Sequence, residues 1–305
     1  MPVDKIRDNV IVYTDKKLPE KYPTQNRFNY GGKVTWNMHK NMSVGDILNL
    51  GAGFSDVMKS FLLYLDEEGI SYFISNIDDY VNNPTNLYGD FSDCFGAQKT
   101  SSKGKEDVSA RKTIAAIRKR IRRFIDEGSW HSRSSNLIDD VFKYLKQGKT
   151  IIIDLSLKDN MDASIISTIL VRKLFESNQE KLTSDNPDEV INAVLFVEEA
   201  QNVLSQEFVR SNANPFVRVA KEGRKFGWGL LAVTQRPSAI SDEIRTQAEN
   251  FCAFHMGNSD DIKALVKSNI NYDMMEWLLN SSKERQFLVI YIWFRPIKLL
   301  LSPWE

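Results

Sequence analysis

Cysteine is scarce in this sequence. Cys94 and Cys252 are the only two in 305 residues, so no disulfide framework or cysteine cluster is suggested. Cys252 stands in an apolar run, where a buried thiol is expected. Histidine is scarce too: His39, His131 and His255 share no ligand spacing and are expected to be structural or surface residues. No apolar run approaches the roughly 18 residues that a membrane-crossing helix needs. The N-terminus, MPVDKIRDN, lacks the apolar segment of a signal peptide. A soluble, cytoplasmic chain with no membrane partner is expected. Net charge is also missing, because 40 basic and 40 acidic residues cancel; the overall balance favours no polyanionic partner. Apolar residues are plentiful, at 42% hydrophobic. The length suits one large or two ordinary domains with a sizeable core.

A nucleotide-binding glycine loop is missing as well. Gly148-Lys149-Thr150 spells the tail of one, but the first glycine of the pattern should stand at 143, which is Lys143. The order of elements is also wrong. Upstream, Leu137, Ile138, Val141, Phe142 and Leu145 recur at helical spacing. Downstream, TIIIDL reads as a buried strand. A phosphate loop runs from strand to helix, because the free N–H groups of the helix start receive the anion. Here the order is helix to strand, with Gly148 as a helix C-cap.

The second half alternates strands and helices. Expected strands are TIIIDL (150–155), AVLFVEEA (193–200), WGLLAVT (228–234), NFCAFHMG (250–257) and QFLVIYIWF (286–294). Expected helices are ASIISTILVRKLFE, PFVRVAKEGRK, and two near 260–267 and 274–279. This pattern predicts an α/β fold, a mainly parallel sheet covered by helices on both faces. In such sheets, function gathers at the carboxyl ends of the strands. The first half reads as mostly helical with short N-terminal strands, NVIVYT and KVTWNM. A helical stretch runs from Ser43 to about Glu68, a polar loop from Asn82 to Lys105, and a long helix from about Glu106 to Asp126. The expected division is 1–148 and 149–305.

Two strand ends carry candidate chemistry. VLFVEEAQ puts Glu198 and Glu199 at a strand tip. This fits a Walker B arrangement, in which one carboxylate organises Mg²⁺ and the next orients the water attacking a γ-phosphate. It also fits a strand running into an acidic helix start, where carboxylates suit the dipole. The next strand ends in Thr234-Gln235-Arg236-Pro237-Ser238, read either as a phosphate sensor or as a turn closed by proline. Arg224 and Lys225, in KEGRKFGWG, are near a sheet edge or simply at a solvated helix end.

VLFVEEAQNVLS and VRVAKEGRKFGWGLLAVTQRPSAISDEIRTQAENFCAFHMGNSDDIKAL together resemble the C-terminal half of HerA/FtsK superfamily ATPases, on the HerA side. The resemblance is specific from about Thr150 to Glu305; residues 1–148 resemble the helical insertion between Walker A and Walker B. Gln201 stands where histidine is usual. The resemblance implies an incomplete RecA-like P-loop ATPase core whose Walker A segment is not among the 305 residues. Alone, these residues are therefore expected to show no Mg²⁺-dependent ATP hydrolysis. It further implies ATP and Mg²⁺ as cofactors, a homo-oligomeric and hexameric ring, double-stranded DNA as the track, and a nuclease partner in end processing or defence. By position, Glu199 would be the base or water-positioner, Glu198 the Mg²⁺ carboxylate and Gln235 the γ-phosphate sensor. Arg224, with Arg236 second, would be the arginine finger reaching a neighbour's nucleotide.

One charge cluster needs separate weighing. Between Lys103 and Arg133 lie ten basic and four acidic residues. Ile114, Ile117, Ile121 and Phe124 mark an apolar helix face, which leaves Arg118, Lys119, Arg120, Arg122 and Arg123 outward. The stripe is open to two readings, sequence-independent phosphate contact or a solvated face with intrahelical pairs. Three functions stay open: a DNA translocase, a conjugation or secretion motor, and a non-catalytic oligomerisation module.

Overall fold

The computed structural model describes residues 8–17, 29–48, 53–65, 67–83, 108–126, 131–184, 189–209, 214–248, 250–254, 256–268 and 287–291. The chain divides into two compact units, Met1–Lys173 and Leu174–Glu305.

The first unit holds a parallel sheet of β1 (Val10–Thr14), β2 (Asn29–Gly32) and β3 (Thr150–Asp154), in the order β2-β1-β3. The pairing of β1 with β3 runs in unbroken register from Val10–Thr150 to Thr14–Asp154. This sheet therefore joins strands from both sides of the expected 148/149 division. Its helices are α1 (Met38–Asn41), α2 (Val44–Leu48), α3 (Asp56–Leu63), α4 (Glu67–Asn82), α5 (Val108–Ile125) and α6 (Leu137–Lys146). The core is built from the expected helix faces. Phe61 and Leu62 of α3 meet Ile70, Phe73, Ile74 and Ile77 of α4, and Ile114, Ile117, Ile121 and Phe124 of α5, all buried in one cluster. Phe61 sits edge-on to Phe73 at 5.2 Å between centroids.

One expected strand is displaced. KVTWNM forms no strand; the residues that pair are Asn29–Gly32 just before it. Val34, Trp36 and Met38 are each fully buried, so the alternation there reports burial without a ladder. Asn37 then caps α1 by accepting from the Lys40 N–H at 3.2 Å, which ends any extended run. The expected loop lies, from 84 to 105, outside the described residues, as do the helix near 274–279, Cys94 and His255. His39 and His131 stack at 5.0 Å inside the first unit.

Gly148 is the helix stop expected from its sequence. It adopts φ +71°. The Lys149 N–H reaches Tyr144 O at 3.0 Å and the Gly148 N–H reaches Leu145 O at 2.9 Å, the two crossed bonds of a Schellman stop. Lys149 Nζ donates to the Asp8 carbonyl at 2.7 Å. GKT is thus a helix-to-strand turn. At the far end of β3, Asp154 accepts from Thr14 Oγ1 at 2.9 Å and the Ser156 N–H at 3.1 Å, and pairs with Lys16 at 3.0 Å. Burial acts to raise the Asp154 carboxyl. The bonds from Ser156, Lys16 and Thr14 outweigh it and hold the group well below the usual carboxylate range.

The helix α7 (Asn160–Thr183) runs across the division between the units. The second unit contains β4 (Ala193–Val197), α8 (Gln201–Leu204), α9 (Gln206–Val209), α10 (Pro215–Glu222), β5 (Trp228–Ala232), α11 (Asp242–Arg245), β6 (Asn250–Phe254), α12 (Ser259–Lys267) and β7 (Phe287–Tyr291). The pair β4–β5 is parallel, as expected. The pair β6–β7 is antiparallel, which corrects the placement of QFLVIYIWF in a parallel run. Apolar periodicity reports which faces are buried and carries no information on strand direction; antiparallel edges on parallel sheets are common. Cover on both faces is also incomplete among the described residues. Val194 is 68% and Phe196 57% exposed, with Leu231 and Val233 exposed beside them. Cys252 is exposed on β6, and the buried neighbour is Ala253. The expectation of a buried thiol fails because alternation sends the two residues to opposite faces.

Two results are expected here. Gly148→Ala leaves steric room around the new methyl but keeps a left-handed backbone, so the first unit loses about 1 kcal/mol in urea unfolding. Asp154→Asn is destabilising above about pH 4, the ordinary carboxylate value. Because the folded value is depressed, the gap to the natural protein closes as pH falls below that point. Thermal unfolding of both proteins across pH 2–7 measures it.

Candidate active site at the tips of β4 and β5

Two anchors bring the strands β4 and β5 to the same level. Asn178 of α7 is fully buried and donates to Ile191 O at 2.7 Å and Phe226 O at 2.8 Å, while accepting from the Ile191 N–H at 3.0 Å. One amide thus fixes the residues leading into both strands. Gly227 turns the chain at φ +76° and accepts from the Ala193 N–H at 3.0 Å. A side chain there would meet Asn192 Oδ1 at 2.7 Å and the Ile191 carbonyl at 3.3 Å, so glycine suits both the left-handed turn and the close packing.

From those anchors the register carries Val197 opposite Ala232. The ladder continues past both strands, with Val233 N–H to Val197 O and Ala200 N–H to Val233 O, each 2.9 Å. The chain therefore leaves β4 at Glu198-Glu199 beside the exit of β5 at Thr234-Gln235. Glu199 has φ +48°, the only positive φ outside glycine among the described residues. It is the pivot between β4 and α8, with Ala200 fully buried directly behind it. A left-handed glutamate costs on the order of 1 kcal/mol, so the surrounding structure must over-determine this turn. It does so through Ala200, whose carbonyl accepts from Val203 and Leu204 N–H groups, and through α8, whose end is tied to Ser241 N–H at 2.9 Å.

The side chains form a closed set. Gln235 Nε2 donates to Glu199 Oε1 at 3.1 Å. Gln201 Nε2 donates to Glu199 Oε2. Thr234 Oγ1 donates to Gln201 Oε1 at 2.6 Å and accepts from the Arg236 N–H at 3.0 Å. Glu198, Glu199, Gln235 and Arg236 are all exposed, so solvent and solutes reach this edge. The structure thus gathers Glu198, Glu199, Gln235 and the backbone of Arg236 at one carboxyl edge. It also adds Gln201 and Thr234, to which the sequence reading gave no role. The signal for them was their place, two residues after Glu199 and one before Gln235.

Arg224 is placed elsewhere. It lies in the 3₁₀ turn Gly223–Phe226 that precedes β5. The length of β5, about 13 Å at ~3.3 Å per residue, separates that turn from the Gln235 edge. It cannot serve the carboxylates of its own chain from there.

The basic stripe on α5 is only partly outward. Arg118 is 19% exposed and bonds Asp78 and Asp126, both at 2.7 Å, a correction to its outward placement. Arg122 joins Asp126 at 3.0 Å, Arg123 joins Asp159 and Asp162, and Arg120 donates to Gly53 O at 3.2 Å and Ala116 O at 3.1 Å. Lys119 is exposed. Carboxylates distant in the sequence, at residues 78, 159 and 162, pair with two of the five cations of the stripe, and no local reading of the helix could have located them.

The described residues contain no group of three or more His, Cys, Asp or Glu that could hold a metal ion, and no helix of the described residues is long and apolar enough to cross a membrane. A Mg²⁺ ion does not need such a cage, since it binds through one or two carboxylates and the phosphates it accompanies. Glu198, exposed at the open edge, fits that need.

Comparison with known proteins follows from this geometry. A family profile described as Zonular occludens toxin (Zot) matches residues 108–260. The chain is similar to the DNA double-strand break repair helicase HerA of Sulfurisphaera tokodaii, 32% identical over 152 residues, covering 48% of this chain and 31% of that protein. It is 26% identical over 224 residues to HerA of Pyrococcus furiosus, covering 64% and 40%. The chain thus spans well under half the length of these curated relatives. In structure it is similar to VirB4 of Thermoanaerobacter pseudethanolicus, with a TM-score of 0.52 at 11% identity, covering 96% of this chain and 82% of that one. That likeness concerns the fold alone, an α/β arrangement with parallel strands flanked by helices.

The left-handed turn makes a stability comparison decisive. Glu199→Ala and Glu199→Gly both lose the carboxylate bonds, and only glycine relieves the backbone. Glu199→Gly is expected to be the more stable by about 1 kcal/mol, read as a shift in urea midpoint. Equal midpoints would mean that the turn is not left-handed in solution.

Proposed function

The chain belongs to the zonular occludens toxin (Zot) family, a HerA-like group of P-loop ATPases, and from that membership we propose that it forms the hydrolytic part of an ATP-driven motor acting on double-stranded DNA. The observation that carries the proposal is the contact of Gln235 with Glu199 across two adjacent parallel strand tips. A carboxylate and a polar sensor at the carboxyl edge of such a sheet are the parts that orient a water and detect a phosphate.

ATP, when bound, supplies the phosphoryl group and Mg²⁺ neutralises its charge. The residues of this chain then have separable tasks. Glu199 orients a water and accepts its proton at a carboxylate oxygen. Glu198, one residue earlier, would hold Mg²⁺ through water. Gln235 exchanges its bond to Glu199 for one to a phosphate oxygen. Arg236 stands at the same edge. Arg224, at the other end of β5, could act only on a neighbour's nucleotide, which makes it the candidate finger in a ring. We propose a homo-oligomeric, hexameric ring in the cytoplasm, working with a nuclease in DNA end processing or defence. The paired arginines of α5 are not assigned to DNA contact.

Phosphate release by the full-length gene product containing these residues, with and without duplex DNA, tests this reading. Glu199→Gln is expected to lower kcat by about 10² or more while nucleotide still binds. Lys149→Ala should leave turnover within about twofold, since its amine serves the Asp8 carbonyl. Arg224→Ala should be inactive alone and partly rescued by Glu199→Gln subunits. Full activity of Glu199→Gln would remove the proposal.

A further inference from the structure

Gln201 has no role in the mechanism above, yet its side chain makes a second link between the two strand tips, beside that of Gln235. Its amide could in principle stand either way round, since nitrogen and oxygen are interchangeable in shape. The surroundings decide. The Thr234 hydroxyl already accepts from the Arg236 N–H at 3.0 Å, so its proton is available to donate, and it lies 2.6 Å from Gln201 Oε1. The other end of the amide faces a carboxylate oxygen of Glu199, where only a donor is attractive. Oxygen toward threonine and nitrogen toward glutamate is the one orientation that satisfies both neighbours. The result is a directed chain: Arg236 N–H to Thr234 Oγ1, Thr234 O–H to Gln201 Oε1, Gln201 N–H to Glu199 Oε2.

We propose that Gln201 is a positioning residue for Glu199, holding the carboxylate by one oxygen and tying its orientation to the tip of β5. This rests on the hydrolytic reading of the site. Both Glu199 oxygens carry an amide donor, Gln235 on Oε1 and Gln201 on Oε2, so two of the carboxylate's acceptor sites are taken by amides that fix its direction. The two donors are not equivalent. Gln235 is exposed, and the described contacts give its amide only the bond to Glu199, so it can leave for a phosphate oxygen. Gln201 is held at its other end by Thr234 and stays. When Gln235 departs, Oε1 gains a further acceptor site for the water while Oε2 remains held by Gln201. An exposed glutamate with three rotatable bonds would otherwise spread over several rotamers. Displacement of the 234–236 turn reaches Glu199 through the same amide, so the base is aligned only when the β5 tip is in place.

The chemistry names its own substitutes. Gln201→Met keeps the length and loses both hydrogen-bonding functions. Gln201→His restores one acceptor and one donor in the neutral ring. Thr234→Val removes the hydroxyl. In the 305-residue chain with ¹⁵N-labelled glutamine, the Gln201 side-chain amide signals should shift on Glu199→Ala and on Thr234→Val, and the Gln235 amide should shift on Glu199→Ala but not on Thr234→Val. In the full-length gene product, Gln201→Met should lower kcat by on the order of tenfold or more, the scale of a lost bond to a charged group, with KM within about twofold. Gln201→His should recover most of it. A merely structural role would move KM or stability and would not be rescued by histidine. Unmoved amide signals, or unchanged kcat in Gln201→Met, would overturn the positioning role. If the natural protein turns over no ATP while the amide shifts occur as stated, the hydrolytic reading fails and the linkage of Glu199 to β5 stands.

Discussion

Five residues of parallel pairing between β4 and β5 hold the candidate site together. The register from Ala193–Trp228 to Val197–Ala232 decides which residues leave the sheet side by side. A slip of one residue would send every side chain of one strand to the opposite face. Glu199 would then point away from Gln235. The register is set upstream, where the buried Asn178 amide holds the approaches to both strands and Gly227 makes a left-handed turn that strains any larger residue. A helix in the middle of the chain thus controls an arrangement of carboxylates at the far end of two strands.

Glu199 shows how that control is applied locally. A left-handed backbone at a glutamate is unfavourable in isolation, and the turn persists because the ladder beyond the strands, the buried Ala200 and the start of α8 all require it. The consequence is chemical. The side chain projects beyond the sheet edge into a set of neutral donors instead of packing back on the strand. Amides hold it there without the opposing charge that would tie the carboxylate into a permanent ion pair.

Charges on α5 follow a different logic. Their sequence reads as a cationic stripe, and the fold closes much of it with Asp78, Asp159 and Asp162. Exposed pairs of this kind contribute little to stability, often under about 1 kcal/mol each, but they remove local positive potential. A like comparison holds at Asp154, where Lys16, Thr14 and Ser156 surround one carboxylate at the end of β3.

Local patterns were enough to determine much of the architecture. Helical spacing on α3, α5 and α6, the β-branched run of β3, the glycine stop at 148 and the strand-end pair Glu198-Glu199 could all be read from residues a few positions apart, because helix period, left-handed caps and strand alternation are short-range properties. Strand direction was not legible, so the antiparallel partnership of β6 and β7 emerged only in three dimensions. Neither was the displacement of the second strand to Asn29–Gly32, because the buried alternation of Val34, Trp36 and Met38 just after it belongs to no ladder. Gln201 and Thr234 are the sharpest case. They stand 33 positions apart, each a polar residue at a strand end with no role assigned from sequence, and neither has chemistry alone. Their meeting depends on the β4–β5 register and the left-handed turn at Glu199, which are properties of the packed chain.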